Sequence, residues 1–209
     1  MAPEGTVQDR TRTDVDDQPP RSPADALAII EREQARQVPP YWLFYLIWGA
    51  AWAVIGLSWF ASGTGAVTAI TAGVLTGLAI VGGSVGSGVV GARMGRGVTG
   101  PSRLHGALYG WVWPVAMVGV VALVIGLGRL GAPVGYAMPA LFVFVTGGLF
   151  AVGAAVWRNV PDYALGLGLL VLGAALPFVP APWHALVLAV VGGGALVATG
   201  LWTRARAAR

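Results

Sequence analysis

Cysteine and lysine are both absent from these 209 residues. Without Cys there is no disulfide, no thiolate nucleophile, no iron–sulfur ligation and no cysteine zinc site. Without Lys there is no Walker-type phosphate loop, no Schiff base and no lysine general base. Acids are scarce as well. Eight of the nine lie at or before Glu33, and only Asp162 follows. Carboxylates inside a membrane are the usual proton and cation handles of transporters, so a carboxylate-driven antiporter and a carboxylate-pair hydrolase are both disfavoured. Charged residues make up 11% of the chain, where a soluble domain carries roughly 25%. A water-soluble fold of this size could not cover its surface with so few.

What is present instead is apolar. Hydrophobic residues reach 56% and mean hydropathy is +0.72. The 32 glycines lack a three-residue period, which excludes collagen. The expected class is an all-α, polytopic transmembrane bundle. Residues 1–22 are polar and Pro-rich and are expected to be disordered, with no apolar stretch that would make a cleavable signal peptide. An amphipathic helix is expected over 23–38, with Ser22 as N-cap, Pro23 in its first turn and Val38-Pro39-Pro40 closing it. From residue 41 to 203, six segments have the roughly 20 apolar residues needed to cross ~30 Å of hydrocarbon. They are 42–60, 67–90, 109–127, 137–157, 163–178 and 184–202, the fifth being short. A basic tail, 204–209, follows.

Charge placement sets an orientation. With the N-terminus in the cytoplasm, Arg93, Arg96, Arg103, Arg158, Arg204, Arg206 and Arg209 all fall inside, and Arg129 alone falls outside. That asymmetry follows the positive-inside rule and puts both termini in the cytoplasm, in a bacterial plasma membrane. The formal charge of +4 and the pI near 10.1 carry no nucleic-acid signal, because the arginines cap apolar segments and line no single face. Tyr41, Trp42, Tyr109, Trp157, Tyr163, Trp183 and Trp202 sit near span ends, as an aromatic belt requires. Asp162 is read as an inside-loop residue with Arg158 as its partner.

Four features invite a functional reading. His105 and His184 fall at opposite ends of the bundle and cannot share a metal; no metal or cofactor is expected. In the first span, Tyr45, Trp48 and Trp52, with Tyr41 and Trp59, recur at spacings of three and four and share one helix face. That face can line a pocket for an aromatic or cationic ligand or pack into a neighbouring helix. The second span offers a groove for it, with small-xxx-small pairs among Gly73, Gly77, Gly82, Gly86 and Gly88 that permit close helix packing. GGSVGSG is no phosphate loop, since no GK[ST] follows. Finally, 43–59 and 141–157 share six identities at an offset of 98, which raises the possibility of an inverted three-plus-three repeat.

The stretch ADALAIIEREQARQ-VPPYWLFYLIWGAAWAVIGLSWF, a short charged helix entering a Trp/Gly-rich span, resembles a group of uncharacterised actinobacterial six-span integral membrane proteins. The likeness covers mainly residues 24–60, and the group has no established activity to carry over. The residue inventory leads to a non-enzymatic membrane component, an accessory or scaffold subunit working through self-association or a membrane-protein partner in the lipid bilayer. A small, transport-associated permease for an apolar or cationic solute is the alternative, with Trp48 and Trp52 at its site. The missing cysteine makes topology directly testable. A single Gly131→Cys variant is expected to react with an impermeant maleimide from outside intact cells, and a cysteine in the 91–106 loop only after lysis; the reverse pattern overturns the orientation.

Overall fold

The computed structural model describes residues 22–36, 41–96, 101–132 and 134–207, the side chains of 30–36, 101–103 and 136 excepted. Helix α1 (Pro23–Arg36) belongs to a unit of its own. The Asp25 N–H donates to Ser22 Oγ at 3.1 Å, so the expected cap is in place and satisfies one of the free amides of the first turn. The disorder expected over 1–22 and the basic terminus at Arg209 lie outside the described residues, Ser22 excepted.

The second unit, Pro40–Arg209, is a helical bundle. Its elements are α2 (Trp42–Gly63), α3 (Ala69–Met94), α4 (Pro101–Arg129), α5 (Val134–Trp157) and α6 (Val160–Ala175), which ends in a 3-10 turn (Leu176–Phe178). The last span is compound: α7 (Trp183–Val187), a π-helical stretch (Leu188–Gly193) and α8 (Gly194–Ala207). Six of these spans are long and apolar enough to cross a membrane, and the chain is an all-α, multi-pass membrane protein. Most span ends shift by a few residues from those read in the sequence, and two shifts have a clear cause. The third helix begins at Pro101 rather than Tyr109, because Pro is favoured in a first turn and the polar turn behind it can project beyond the hydrocarbon. The fifth span is full length, Val160–Phe178. Asn159 caps it by accepting the Asp162 N–H at 3.3 Å, so the polar residues taken for a loop are its first turn.

Glycine decides which helices touch. A Cβ on Gly147 would stand 2.5 Å from Leu170 N, one on Gly166 2.5 Å from Ala151 N, and one on Gly173 2.5 Å from Phe144 N. At all three points the α5 and α6 backbones press directly together. The same device joins α2 to the last span: a Cβ on Gly49 would meet Gly193 O at 3.0 Å, one on Gly200 would meet Trp42 O at 3.1 Å, and one on Gly56 would collide with the Ala185 carbonyl. Lipid tails are as apolar as Leu, so helices in a bilayer associate through such van der Waals closeness and not through hydrophobic exclusion.

Two three-helix groups result. In the first, α2 lies between α3 and the last span; in the second, α5 lies between α4 and α6. The groups meet through large side chains. Tyr45 stacks on Phe150 with centroids 5.8 Å apart, and Trp52 and Leu172 close over Gly192. Leu169, Leu176, Leu196 and Val143 are the most completely buried side chains in this core. The outer helices α3 and α4 pack chiefly on one neighbour each, leaving only 11% of either apolar window buried, against 39% for α5 and the last span.

The glycines matched by the suspected repeat, Gly49 with Gly147, do not keep corresponding partners. An inverted three-plus-three pair would give Gly49 and Gly147 corresponding partners. Gly49 packs on the last span, whereas Gly147 packs on the helix that immediately follows its own. Substitution separates the two kinds of glycine. Gly147→Leu and Gly166→Leu are expected to cost at least the ~1–3 kcal/mol of an overpacked core, read as a lowered thermal midpoint in detergent. Gly77→Leu, with nothing within 4 Å of its Cβ position, is expected to stay within about 0.5 kcal/mol of the parent.

Candidate functional site

The aromatic face of α2 is used for packing, and it divides between two neighbours. Trp48 and Trp59 turn toward α3. Trp48 Nε1 donates to Ser87 Oγ at 2.9 Å while its ring covers Gly83, and Trp59 Nε1 donates to Thr76 Oγ1 at 2.9 Å. Tyr45 and Trp52 turn inward and are buried. An indole N–H inside hydrocarbon needs an acceptor, which accounts for a serine and a threonine standing opposite these two tryptophans.

The glycines singled out in the second span do less than their spacing suggests. Of Gly73, Gly77, Gly82, Gly86 and Gly88, only Gly86 meets another helix, through Ile47; the other four face open space. The contact to α2 falls instead on Gly83, one residue beside the small-xxx-small pair Gly82/Gly86. Spacing identifies a small-residue face without fixing which neighbour, if any, it receives. The tight contacts lie on Gly49, Gly147, Gly166, Gly173 and Gly200, scattered one to three per helix, and their seven-residue steps, such as Gly166 to Gly173, were the available signal.

Around Asp162 the structure assembles a group that was not anticipated. Asp162 is half-buried in the first turn of α6, inside a spanning segment and not in a loop. Its Oδ2 accepts Asn159 Nδ2 at 2.7 Å, and Tyr45 of α2 lies near the carboxylate. Asn159 and Tyr45 thus take the place expected for Arg158. The reason is local. Arg158 adopts φ 54°, the left-handed turn that ends α5, and its side chain stands exposed while Asn159 takes the capping position.

Four rings on α4 and α5 form a cluster. Tyr109 donates its hydroxyl to the Leu149 carbonyl at 2.8 Å and stacks edge-on against Trp157 at 4.7 Å and Trp113 at 6.2 Å. Trp113 in turn meets Phe150 edge-on at 5.5 Å. Gly153 leaves the space that the Tyr109 ring occupies. In the sequence these residues were indistinguishable from belt aromatics; the Tyr109/Trp113 spacing of four was the one sign that they share a face.

The arginines separate by end. Arg93, Arg96 and Arg158 are exposed at the end of the bundle that carries Asp162. Arg204 and Arg206 lie at that end too, with guanidinium groups 5.0 Å over the Trp42 ring and 3.9 Å over the Trp202 ring. Arg103 is in the first turn of α4, and its side chain lies outside the described residues. Arg129 closes α4 at the opposite end. His105 and His184 stand at opposite ends, and among the described residues no three His, Asp or Glu converge.

Two hollows among the described residues are open, apolar grooves. One, of about 360 Å³, runs between α2 and α3 past Ile47, Val54, Leu78 and Gly82. The other, of about 320 Å³, lies along α4 beside Trp111 and Val115. The architecture defines a six-span membrane protein. No protein-family model, curated protein or solved structure matches the chain. The indole bonds can be tested by a double-mutant cycle on Trp48 and Ser87. Trp48→Phe and Ser87→Ala are each expected to destabilise α3 packing, with a coupling energy near the ~0.6 kcal/mol average for interhelical bonds in membranes. Additive effects in thermal unfolding would remove the bond from the account.

Proposed function

We propose that this protein is a non-enzymatic accessory or scaffold subunit of a bacterial plasma membrane, with both termini in the cytoplasm, that works by associating with a second membrane segment. One observation carries this reading. The centre of the bundle is filled by backbone-close glycine contacts and packed rings, whereas α3 is covered on one side only and presents Gly73, Gly77 and Gly88 on one face with nothing within 4 Å. Small residues cost a helix side-chain packing with no return in lipid, and they are enriched where another helix approaches. The exposed hydroxyl of Ser84 gives that face a polar group of the kind that bonds across helices.

The permease alternative loses its designated site. Trp48 is held by Ser87 and lies against Gly83, and Trp52 is closed over Gly192. Charge asymmetry between the two ends supports the orientation by the positive-inside rule. Disulfide crosslinking in native membranes tests the proposal. Gly77→Cys or Gly73→Cys is expected to give a crosslinked species, to itself or to one partner, while Val115→Cys on the exposed side of α4 gives none. Exclusively monomeric protein with no crosslink from either α3 position, and nothing retained on mild purification, would overturn it.

A further inference from the structure

We infer that the end of α8 binds an anionic phospholipid, with the headgroup phosphate on Arg206 and Arg204 and an acyl chain along the exposed side of the helix. This goes beyond the scaffold reading and does not depend on it. The first support is the way the two arginines are held. Both lie in the last turn of α8, where a cation complements the carbonyl end of a helix. That role accounts for their charge but not for their placement. Arg206 stands 3.9 Å over the ring of Trp202, one turn back on the same helix, and Arg204 stands 5.0 Å over the ring of Trp42, which opens α2. Gly200 permits the second pairing, since a Cβ there would stand 3.1 Å from the Trp42 carbonyl oxygen. Cation–π contact uses no oxygen acceptor, so the guanidinium N–H donors remain for one. Among the described residues neither arginine has a carboxylate partner.

The second support is the surroundings. Arg93, Arg96 and Arg158 are exposed at the same end. The sole acid after Glu33, Asp162, is bonded to Asn159. This end is therefore positive, with no protein carboxylate set against its arginines among the described residues. Trp42 and Trp202 stand at span ends, the depth at which headgroups lie. Guanidinium can grip a phosphate with two parallel N–H bonds, and basic clusters beside membrane helices draw anionic lipid. The third support is the path below the charge. Gly194, Ala198, Trp202 and Arg206 follow one another at intervals of four along α8, and all four are exposed. They form one ridge of the helix, shallow at Gly194, whose Cβ position has nothing within 4 Å, and at Ala198. An acyl chain laid along that shallow strip brings its own phosphate to Arg206. The strip is what favours a lipid over free phosphate, which has no use for an apolar approach.

The test is the thermal midpoint of the full-length protein in neutral detergent, titrated with dioleoylphosphatidylglycerol, with dioleoylphosphatidylcholine and with inorganic phosphate. A ligand that binds the folded state raises the midpoint as its concentration rises. Phosphatidylglycerol is expected to raise it saturably, phosphatidylcholine to need at least fivefold more lipid for the same rise, and inorganic phosphate to have no effect. The double variant Arg204→Gln/Arg206→Gln is expected to need at least tenfold more phosphatidylglycerol than the parent. Arg206→Lys keeps the charge without the planar fork and should fall between the two. Ala198→Trp fills the strip and should weaken the response several-fold, whereas Arg129→Gln, at the opposite end, should match the parent. Helical circular dichroism and a monodisperse elution profile establish that each variant is folded; if the double variant fails that check, Arg206→Lys and Ala198→Trp decide. The inference is overturned by equal responses to the two lipids, by a response to inorganic phosphate alone, or by parental behaviour of the deciding variants. None of these results bears on crosslinking at α3.

Discussion

The bundle rests on backbone-to-backbone contact at glycine. In lipid, no hydrophobic gradient drives one apolar helix against another, and closeness alone supplies the attraction. Closeness is available only where Cβ is missing. At Gly147, Gly166 and Gly173 a single added carbon would stand 2.5 Å from a neighbouring backbone nitrogen, so the α5–α6 crossing exists at its present distance only because those three residues are glycine. The pairing of α2 with the last span obeys the same constraint through Gly49, Gly56, Gly193 and Gly200. The π-helical stretch Leu188–Gly193 lies at that crossing. Its wider turn is placed where Gly193 faces the Gly49 carbonyl and Gly192 receives Trp52.

From that constraint the division into two groups follows. Where glycine is present the helices meet backbone to backbone. Where it is absent, along the line between the groups, Tyr45, Phe150, Trp52 and Leu172 hold the helices apart by their own width. Polar groups inside then have to be satisfied one at a time. Ser58, Thr199 and Thr203 donate to carbonyls of their own helices, which leaves Ser87 and Thr76 as the hydroxyls spent on tryptophan. These two bonds add direction to a contact between α2 and α3 that glycine alone makes weakly, through Gly83 and Gly86.

How much of this was legible in the sequence depends on the kind of signal. Spans are a matter of length and hydropathy, and all six were countable from the chain, with errors only at their ends, as where Pro101 and Asn159 start helices earlier than apolarity does. Helix partners are a different matter. Eleven glycines between 63 and 97 make the second span look like the packing centre, yet a small residue permits contact without supplying a partner, and among the described residues six of them meet nothing within 4 Å. The glycines that do pack are dispersed, and their partners lie up to 158 positions away, as with Gly200 and Trp42. Asp162 was misread for a related reason. Sequence proximity favoured Arg158, while the backbone between them turns left-handed and a residue 117 positions away, Tyr45, arrives from another helix.

Arg158 shows what the chain accepts to keep charge at one end. The αL position that closes a helix is most often glycine, and this chain has glycine in abundance, using it at φ 80° and 81° at Gly65 and Gly131. An L-residue there costs roughly 1–2 kcal/mol. Glycine would relieve that strain, but it would remove one of the few positive charges separating the two ends, and a helix-favouring residue in an ordinary conformation would displace Asn159 from its cap. The arginine keeps a charge outside the bundle while the turn it makes sets Asn159, and through it Asp162, at the start of α6. One strained residue therefore serves both the charge asymmetry and the placement of the only carboxylate in the membrane domain.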